Sequence, residues 1–473
     1  MASLLAAGAA GLAVSFLVER WRRPPTSAMA IHAGMFLLAF LAMAALLQRP
    51  YLAGGLVLAF QFLVLAVHEA KRRTLREPML FSDYGLFSQA LRHPRLYLPY
   101  LRPMPLLFAA AAFGAAIAAS VVLELPGFSA TGWSVMLVAA LGLLWAGGSL
   151  APALTLDPET DVGRLGLLAS ASLYWIAERK AIDDSAVPAH FAGIAPALAP
   201  SARRPDIVAI ECESFFDARR LHGGIAHDVL RNFDALSAAG ASGRLTVPAW
   251  GANTMRTEFA FLSGIAPERL GVHRFNPYRR FARSRVPTLA SHLRALGYRT
   301  VCIHPYPASF FGRDRVFPLL GFDEFMDIAA FGAAPLDGPY VADAAVARKI
   351  GETLHQAGGP TFVFAITMEN HGPQHLEAGP GGDELAVYLR HLRNSDAMIQ
   401  AVAQDLRASG RDGLLCVYGD HVPSLPAAFA RAGYDDPRTD YLVWRTWNAA
   451  SSRADLRAEA LAAVLLREAG LLA

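Results

Sequence analysis

Four apolar runs in the second half of the chain each end in side chains able to carry chemistry. DIVAI (206–210) runs into Glu211-Cys212-Glu213-Ser214, and RTVCI (299–303) into His304-Pro305-Tyr306. TFVFAI (361–366) runs into Thr367-Met368-Glu369-Asn370-His371, and LLCVY (414–418) into Gly419-Asp420-His421. A single loop carboxylate is ordinarily a helix cap or a solvated group. Four strand ends that bring carboxylates and imidazoles to one sheet edge are instead what a metal or phosphate site requires. Between the first two runs lies GANTMRTEFAFLSG (251–264), where Thr254 offers a hydroxyl at the end of a turn of small residues. Carboxylates, a histidine and a hydroxyl make a hard to borderline donor set, suited to Mn²⁺, Mg²⁺ or Zn²⁺ rather than to a metal that prefers thiolates. Cys212, Cys302 and Cys416 sit singly in apolar runs, without Cys-x-x-Cys spacing, and read as small core residues.

These loops converge only if the runs before them are strands of one sheet. The runs, with YLVW (441–444) as a fifth, alternate with helix-like stretches such as TLASHLRALGY and ELAVYLRHLRNSDAMIQAVAQDL. Strands alternating with amphipathic helices predict an α/β domain with a largely parallel sheet covered by helices on both faces. In such sheets ligands gather at the C-terminal ends of the strands.

The first third of the chain is of a different character. The 473 residues are 54% hydrophobic and only 18% charged, and the excess is concentrated here. Ala28–Leu47, Tyr51–Val67, Met104–Leu123 and Ser134–Leu156 contain no charged residue and match the thickness of a bilayer core. Buried helices of a soluble domain would show a polar face. Leu4–Val18 reads as a fifth span rather than a signal peptide, since no basic residue precedes it and no small-residue cleavage site follows. The expected organisation is a transmembrane helical bundle over 1–156, a linker over 157–204 and a catalytic domain over 205–473. The basic clusters Arg20-Arg22-Arg23 and Lys71-Arg72-Arg73 would both be cytoplasmic by the positive-inside rule, which with five spans places the C-terminal domain there too. The Pro-interrupted, aromatic segment Glu69–Pro103 reads as a membrane-surface stretch whose basic residues are drawn to headgroups on either side.

In order along the chain, ESFFD (213–217), GANTMRTEFAFLSG, HPY (304–306), FFGRD (310–314), TMENHGP (367–373) and YGDHVPSL (418–425) resemble the lipoteichoic acid synthase-like phosphoglycerol transferases. These belong to the alkaline phosphatase and sulfatase superfamily. The resemblance covers residues from about 205 to 447, and the layout of several spans followed by a domain fits it. It implies one divalent metal, foremost Mn²⁺ with Mg²⁺ or Zn²⁺ as alternatives, held by Glu213, Thr254, Asp420 and His421. It implies substrate binding by Arg313 and His371, to which His304 and Asn370 are added from the same loops. It also implies a membrane phospholipid as donor and an envelope glycan or lipid as acceptor. The setting would be the bacterial cytoplasmic (inner) membrane, multi-pass, with the catalytic domain facing the periplasm or exterior, against the simple basic-loop count. The chemistry is consistent with a nucleophilic Thr254: a free hydroxyl is a poor nucleophile near neutral pH, and coordination to a divalent cation lowers its pKa.

Other residues have plainer readings. Thr257 and Glu258 read as a helix start, and Arg256 as a solvated or ion-paired residue. Glu211, two residues before Glu213, reads as a support on the same strand face. His355, His375 and His391 read as solvated. Competing functions are a phosphoethanolamine transferase, a phosphodiesterase or sulfatase-type hydrolase, and a non-catalytic envelope module. The sulfatase version lacks a Cys-x-Pro-x-Arg context at any cysteine, and the filled set of ligand positions stands against the non-catalytic one. With a net charge of +3, scattered basic residues and no Gly-rich nucleotide loop, neither nucleic acid nor nucleotide is an expected partner.

Overall fold

The computed structural model describes the chain apart from residues 20, 22, 86, 125, 128, 181–185, 193–202, 282–284, 448, 449 and 473. Arg20 and Arg22 of the first basic cluster, and residues 181–185 and 193–202 of the expected linker, therefore lie outside the described residues. The chain divides into two compact units, Met1–Ala181 and Ile182–Ala473.

The first unit contains, among the described residues, five long helices: α1 (Ala2–Val18), α2 (Thr26–Leu47), α3 (Pro50–Leu75), α4 (Pro103–Leu123) and α5 (Ala130–Ser149). Among the described residues α2, α3 and α5 are long and apolar enough to cross a membrane, while α1 and the stretch Leu106–Val122 of α4 are shorter apolar helices. An interior shared by α1, α2, α3 and α5 is built from Leu4, Phe36, Phe40, Ala53 and Met136. Phe108, Val121, Val138 and Trp145 stay exposed, an apolar exterior that marks a membrane-contacting surface. This unit anchors the protein in a membrane. The second basic cluster is neutralised where it stands: Lys71 Nζ lies 3.0 Å from Glu77 and 2.7 Å from Asp83, and Arg72 pairs with Glu159. The helices Pro158–Leu165 and Leu167–Ala177, in the stretch expected as a linker, fold with this unit. Buried Asp161 holds them by accepting from the Thr155 and Leu156 N–H groups and the Tyr174 hydroxyl.

The second unit is built on a mixed, mostly parallel sheet. Its strands are β1 (Asp206–Cys212), β2 (Ala241–Thr246), β3 (Arg299–Ile303), β4 (Glu324–Met326), β5 (Thr361–Ile366), β6 (Gly413–Gly419) and β7 (Thr439–Arg445). They lie in the order β2-β7-β6-β1-β5-β3-β4, with Ser452–Arg453 beside β2. Five consecutive strands, from β6 to the edge strand β4, are parallel, and β7 turns antiparallel to both of its neighbours. Strand alternation feeds two cores. Ile207 and Ala209 point into one, with Phe259 and Leu262 of helix α6 (Thr254–Ser263); Val208 and Ile210 point into the other, with Leu392 and Ile399 of helix α7 (Glu384–Ala408). Parallel pairing brings the ends of β1, β3, β5 and β6 to one edge, so the four loops singled out by their side chains emerge side by side.

Candidate active site

The site is assembled where the loop after β1 crosses the end of β6. Gly419 permits the crossing, since a Cβ there would lie 1.8 Å from the Phe215 carbonyl oxygen. The next residue, Asp420, is fully buried, and its two carboxylate oxygens have separate tasks. Oδ1 accepts the backbone N–H groups of Ser214 and His421, each at 2.8 Å. Oδ2 accepts from the Thr254 hydroxyl at 2.8 Å and lies 3.0 Å from His421 Nε2. Glu213 Oε1 is 3.7 Å from the same nitrogen and accepts from the Ser214 hydroxyl at 2.8 Å. On the other side, Thr367 Oγ1 accepts the Glu213 N–H at 2.9 Å, tying the loop after β5 to the loop after β1.

These residues fit a divalent cation. One ligand atom each from Glu213, Asp420 and His421 lie within 4.8 Å of one another. His421 Nδ1 is 3.0 Å from the Val422 carbonyl oxygen, a contact that requires an N–H on Nδ1. In the neutral ring this leaves the Nε2 lone pair facing two carboxylates, and electron-rich atoms so placed need a cation among them, a proton or a metal ion. Burial alone would lower the His421 imidazole, but the facing Asp420 and Glu213 carboxylates outweigh it and raise the pKa to about 9. Burial and the neighbouring Asp420 raise the Glu213 carboxyl. Two carboxylates, an imidazole and a hydroxyl are a sound donor set for one hard or borderline ion.

Thr254 is presented by a turn of unusual backbone. Gly251 and Asn253 both adopt left-handed conformations, each with φ 68°, and α6 starts at Thr254 itself. The expected helix start at Thr257 and Glu258 is therefore corrected by one turn, because Asn253 is the cap. All ten residues of α6 are buried. Thr257 donates its hydroxyl to the Asp420 carbonyl at 2.7 Å, and Arg256 donates Nε to the Phe275 carbonyl at 3.0 Å. Arg256 is thus a buried residue, not a solvated one.

Beneath this layer lies a second polar network. Arg313 and Glu258 form an ion pair at 2.9 Å whose side chains are 1% and 0% exposed. Arg313 Nη1 lies 3.2 Å from His304 Nε2, and His304 Nδ1 lies 3.3 Å from the Ile366 carbonyl oxygen. Nδ1 is the donor and Nε2 the acceptor, so this ring is neutral; burial and the Arg313 charge hold it well below its ordinary value. Tyr278 donates to Glu258, and Tyr418 donates to Glu211 at 2.6 Å. Glu211 does not support Glu213 on a common strand face: β1 ends at Cys212, and Glu213 belongs to the turn that follows.

The loop after β5 completes the edge. His371 is half-buried, with Nδ1 2.7 Å from the Gly372 carbonyl oxygen and its ring against Tyr340. Asn370 is 1% exposed, and neither amide atom of its side chain has a hydrogen-bond partner. Glu369, which had no role in the sequence reading, accepts from His391 Nδ1 at 2.8 Å and from Asn394 at 2.6 Å. His391 is thus buried in an ion-pair network rather than solvated, because it lies on the face of α7 that meets this loop; His355 is exposed as expected. Burial would lower the His391 pKa, but hydrogen bonds to Glu369 and Glu377 overcome it and raise the pKa above 6.5. A raised histidine adds stability that is complete below its unfolded pKa and fades as pH rises through the folded one. Wild type should therefore melt above a His391→Gln variant by more at about pH 5.5 than at about pH 9. An equal difference at both values, by calorimetry, would show that the pair contributes no charge.

Comparison with known proteins gives concordant results. A family model described as Sulfatase matches residues 205–463. The chain is 30% identical over 455 residues to the capsular polysaccharide biosynthesis protein RkpI of Rhizobium meliloti, covering 90% of this chain and 81% of that protein. It is 24% identical over 143 residues to lipoteichoic acid synthase 1 of Bacillus subtilis, covering 26% of this chain and 21% of that protein. Among solved structures, the integral membrane protein lipooligosaccharide phosphoethanolamine transferase A (EptA) of Neisseria meningitidis matches with a TM-score of 0.57 at 14% identity, over 94% of this chain and 87% of that one. This last likeness is one of fold.

Proposed function

The chain belongs to the sulfatase family, and from that premise we propose that it is a membrane-anchored phosphoglycerol transferase. The donor would be a phospholipid such as phosphatidylglycerol, the acceptor an envelope glycan or lipid, and the intermediate a covalent ester on Thr254. The observation that carries this reading is the Thr254 hydroxyl, at the first turn of a buried helix, 2.8 Å from Asp420 and presented to the Glu213–His421 cluster. A divalent cation held by Glu213, Thr254, Asp420 and His421, Mn²⁺ before Mg²⁺ or Zn²⁺, would neutralise charge on the phosphate and on the attacking oxygen. Thr254 Oγ attacks phosphorus, its proton passes to Asp420 Oδ2, and the bond from phosphorus to the diacylglycerol oxygen breaks. His371 gives that oxygen a proton. It then takes one from the acceptor hydroxyl, which attacks phosphorus and displaces the Thr254 oxygen, and Asp420 Oδ2 returns its proton to that oxygen. His304 is not the acid or base, because Arg313 engages its Nε2 lone pair. Arg313 would meet the phosphate with the N–H groups that Glu258 and His304 leave over.

We read Asn370, in the loop that also carries His371, as a headgroup contact that would favour glycerol over ethanolamine. A buried amide with an unpaired N–H and an unpaired C=O complements a hydroxyl, which both donates and accepts, whereas an ammonium only donates. Purified protein with Mn²⁺ in detergent should release diacylglycerol from phosphatidylglycerol faster than from phosphatidylethanolamine. Asn370→Ala should raise KM for the glycerol lipid by about tenfold, the loss of one buried hydrogen bond, and raise it less for the ethanolamine lipid. Preference for the ethanolamine lipid would select the phosphoethanolamine reading. Release that needs no acceptor but water would select the phosphodiesterase, and release from neither lipid would exclude both transferases.

We further propose that the catalytic unit faces the periplasm or exterior of a bacterial cytoplasmic membrane, where envelope acceptors lie. The layout of apolar helices followed by a sulfatase-family unit, and the need for an envelope acceptor, support this against the count of basic residues in the loops. A reporter active only outside the cytoplasm should be active when fused to the C-terminus; activity of a cytoplasmic reporter alone would reverse the assignment.

A further inference from the structure

We propose that Ser214 is a positioning residue that sets the cation affinity of this site, by fixing both carboxylates at once through its hydroxyl and its backbone N–H. The inference rests on the divalent-metal reading above. Ser214 donates a hydrogen bond to each of the Glu213 and Asp420 side chains: its hydroxyl to Glu213 Oε1 and its N–H to Asp420 Oδ1, each at 2.8 Å. Two buried carboxylates side by side repel, and without anchors each is free to rotate away from the other. Second partners of this kind orient ligands and raise metal affinity.

The backbone supplies an independent argument. Ser214 is 3% exposed and sits in the left-handed region with φ 55°, a conformation that disfavours any side chain and persists only where the surroundings impose it. Among the contacts that hold it, Tyr388 of α7 donates its hydroxyl to the Ser214 carbonyl at 2.8 Å. In this conformation the N–H and the hydroxyl of one residue serve both carboxylates. Glycine would adopt the same backbone more easily but would leave Glu213 without its donor. A serine at a glycine-like position is explained by the hydroxyl.

The test uses the full chain in detergent, stripped with chelator and titrated with Mn²⁺ alone, reading free Mn²⁺ by electron paramagnetic resonance. Ser214→Ala and Ser214→Gly should each weaken Mn²⁺ binding by about 10–100-fold. The metal-free melting temperature of Ser214→Gly should equal or exceed that of wild type, because the strained conformation is relieved. Tyr388→Phe, which keeps the hydroxyl of Ser214, should weaken Mn²⁺ less than either. Wild-type affinity in Ser214→Ala would overturn the proposal, and so would wild-type affinity in Ser214→Gly, which would trace the effect to the backbone. Failure of the wild type itself to bind Mn²⁺ would overturn the metal reading and this proposal together. Should Ser214→Ala fail to fold, Ser214→Gly decides alone.

Discussion

Replacing Thr254 by alanine should lower lipid turnover on the order of 10³-fold or more while the chain still folds. The substitution removes the attacking oxygen and the hydroxyl that donates to Asp420 Oδ2. It does not leave that carboxylate stranded, since Oδ1 keeps two backbone donors and Oδ2 keeps His421 beside it. Little packing is lost with one methyl and one hydroxyl, so the melting temperature should move by only a few degrees. Thr257→Ala is the matched control. Its hydroxyl also bonds to Asp420, at the backbone carbonyl, and its loss should cost about 1 kcal/mol of stability with turnover within about tenfold of wild type. Incubation of wild type with donor lipid and no acceptor, followed by peptide mass mapping, should find phosphoglycerol on Thr254. An adduct on another residue, or near-normal turnover in Thr254→Ala, would reduce this threonine to a helix-start residue.

What the sequence reveals of this site, and what it conceals, follows from the range of the interactions. The strand-end residues are legible because parallel pairing is a strong constraint: once DIVAI, RTVCI, TFVFAI and LLCVY are strands of one sheet, Glu213, His304, Thr367–His371 and Asp420-His421 must share an edge. β2 is hard to see because ASGRLT is built from small and polar residues and lies near the antiparallel edge. Glu258 reads as a helix-start residue and His391 as a solvated one because their partners, Arg313 and Glu369, are 55 and 22 residues away. A charge on a helix is assigned to solvent until the countercharge is known. The start of α6 is missed for a different reason, since its cap is a left-handed asparagine rather than a residue whose side chain receives a helix N–H.

That buried countercharge gives Arg313 the largest expected effect on stability. Arg313→Ala leaves the Glu258 carboxylate, 0% exposed, without its cation. It also removes the N–H that faces His304 Nε2. Burial raises the Glu258 carboxyl and Arg313 draws it back down, so the variant must either bury an unpaired charge or take up a proton. Removing one partner of such a pair typically costs about 3–5 kcal/mol, whereas replacing both by apolar residues of similar volume is often neutral. Arg313→Ala should therefore melt far below wild type in urea, and Arg313→Met with Glu258→Leu should recover much of the loss. The double variant separates scaffold from substrate contact. If Arg313 also meets the phosphate, stability returns in the double variant while turnover does not, because the charged donors are still missing. Recovery of both would confine Arg313 to the ion pair, and a wild-type melt in Arg313→Ala would refute the buried-pair account itself.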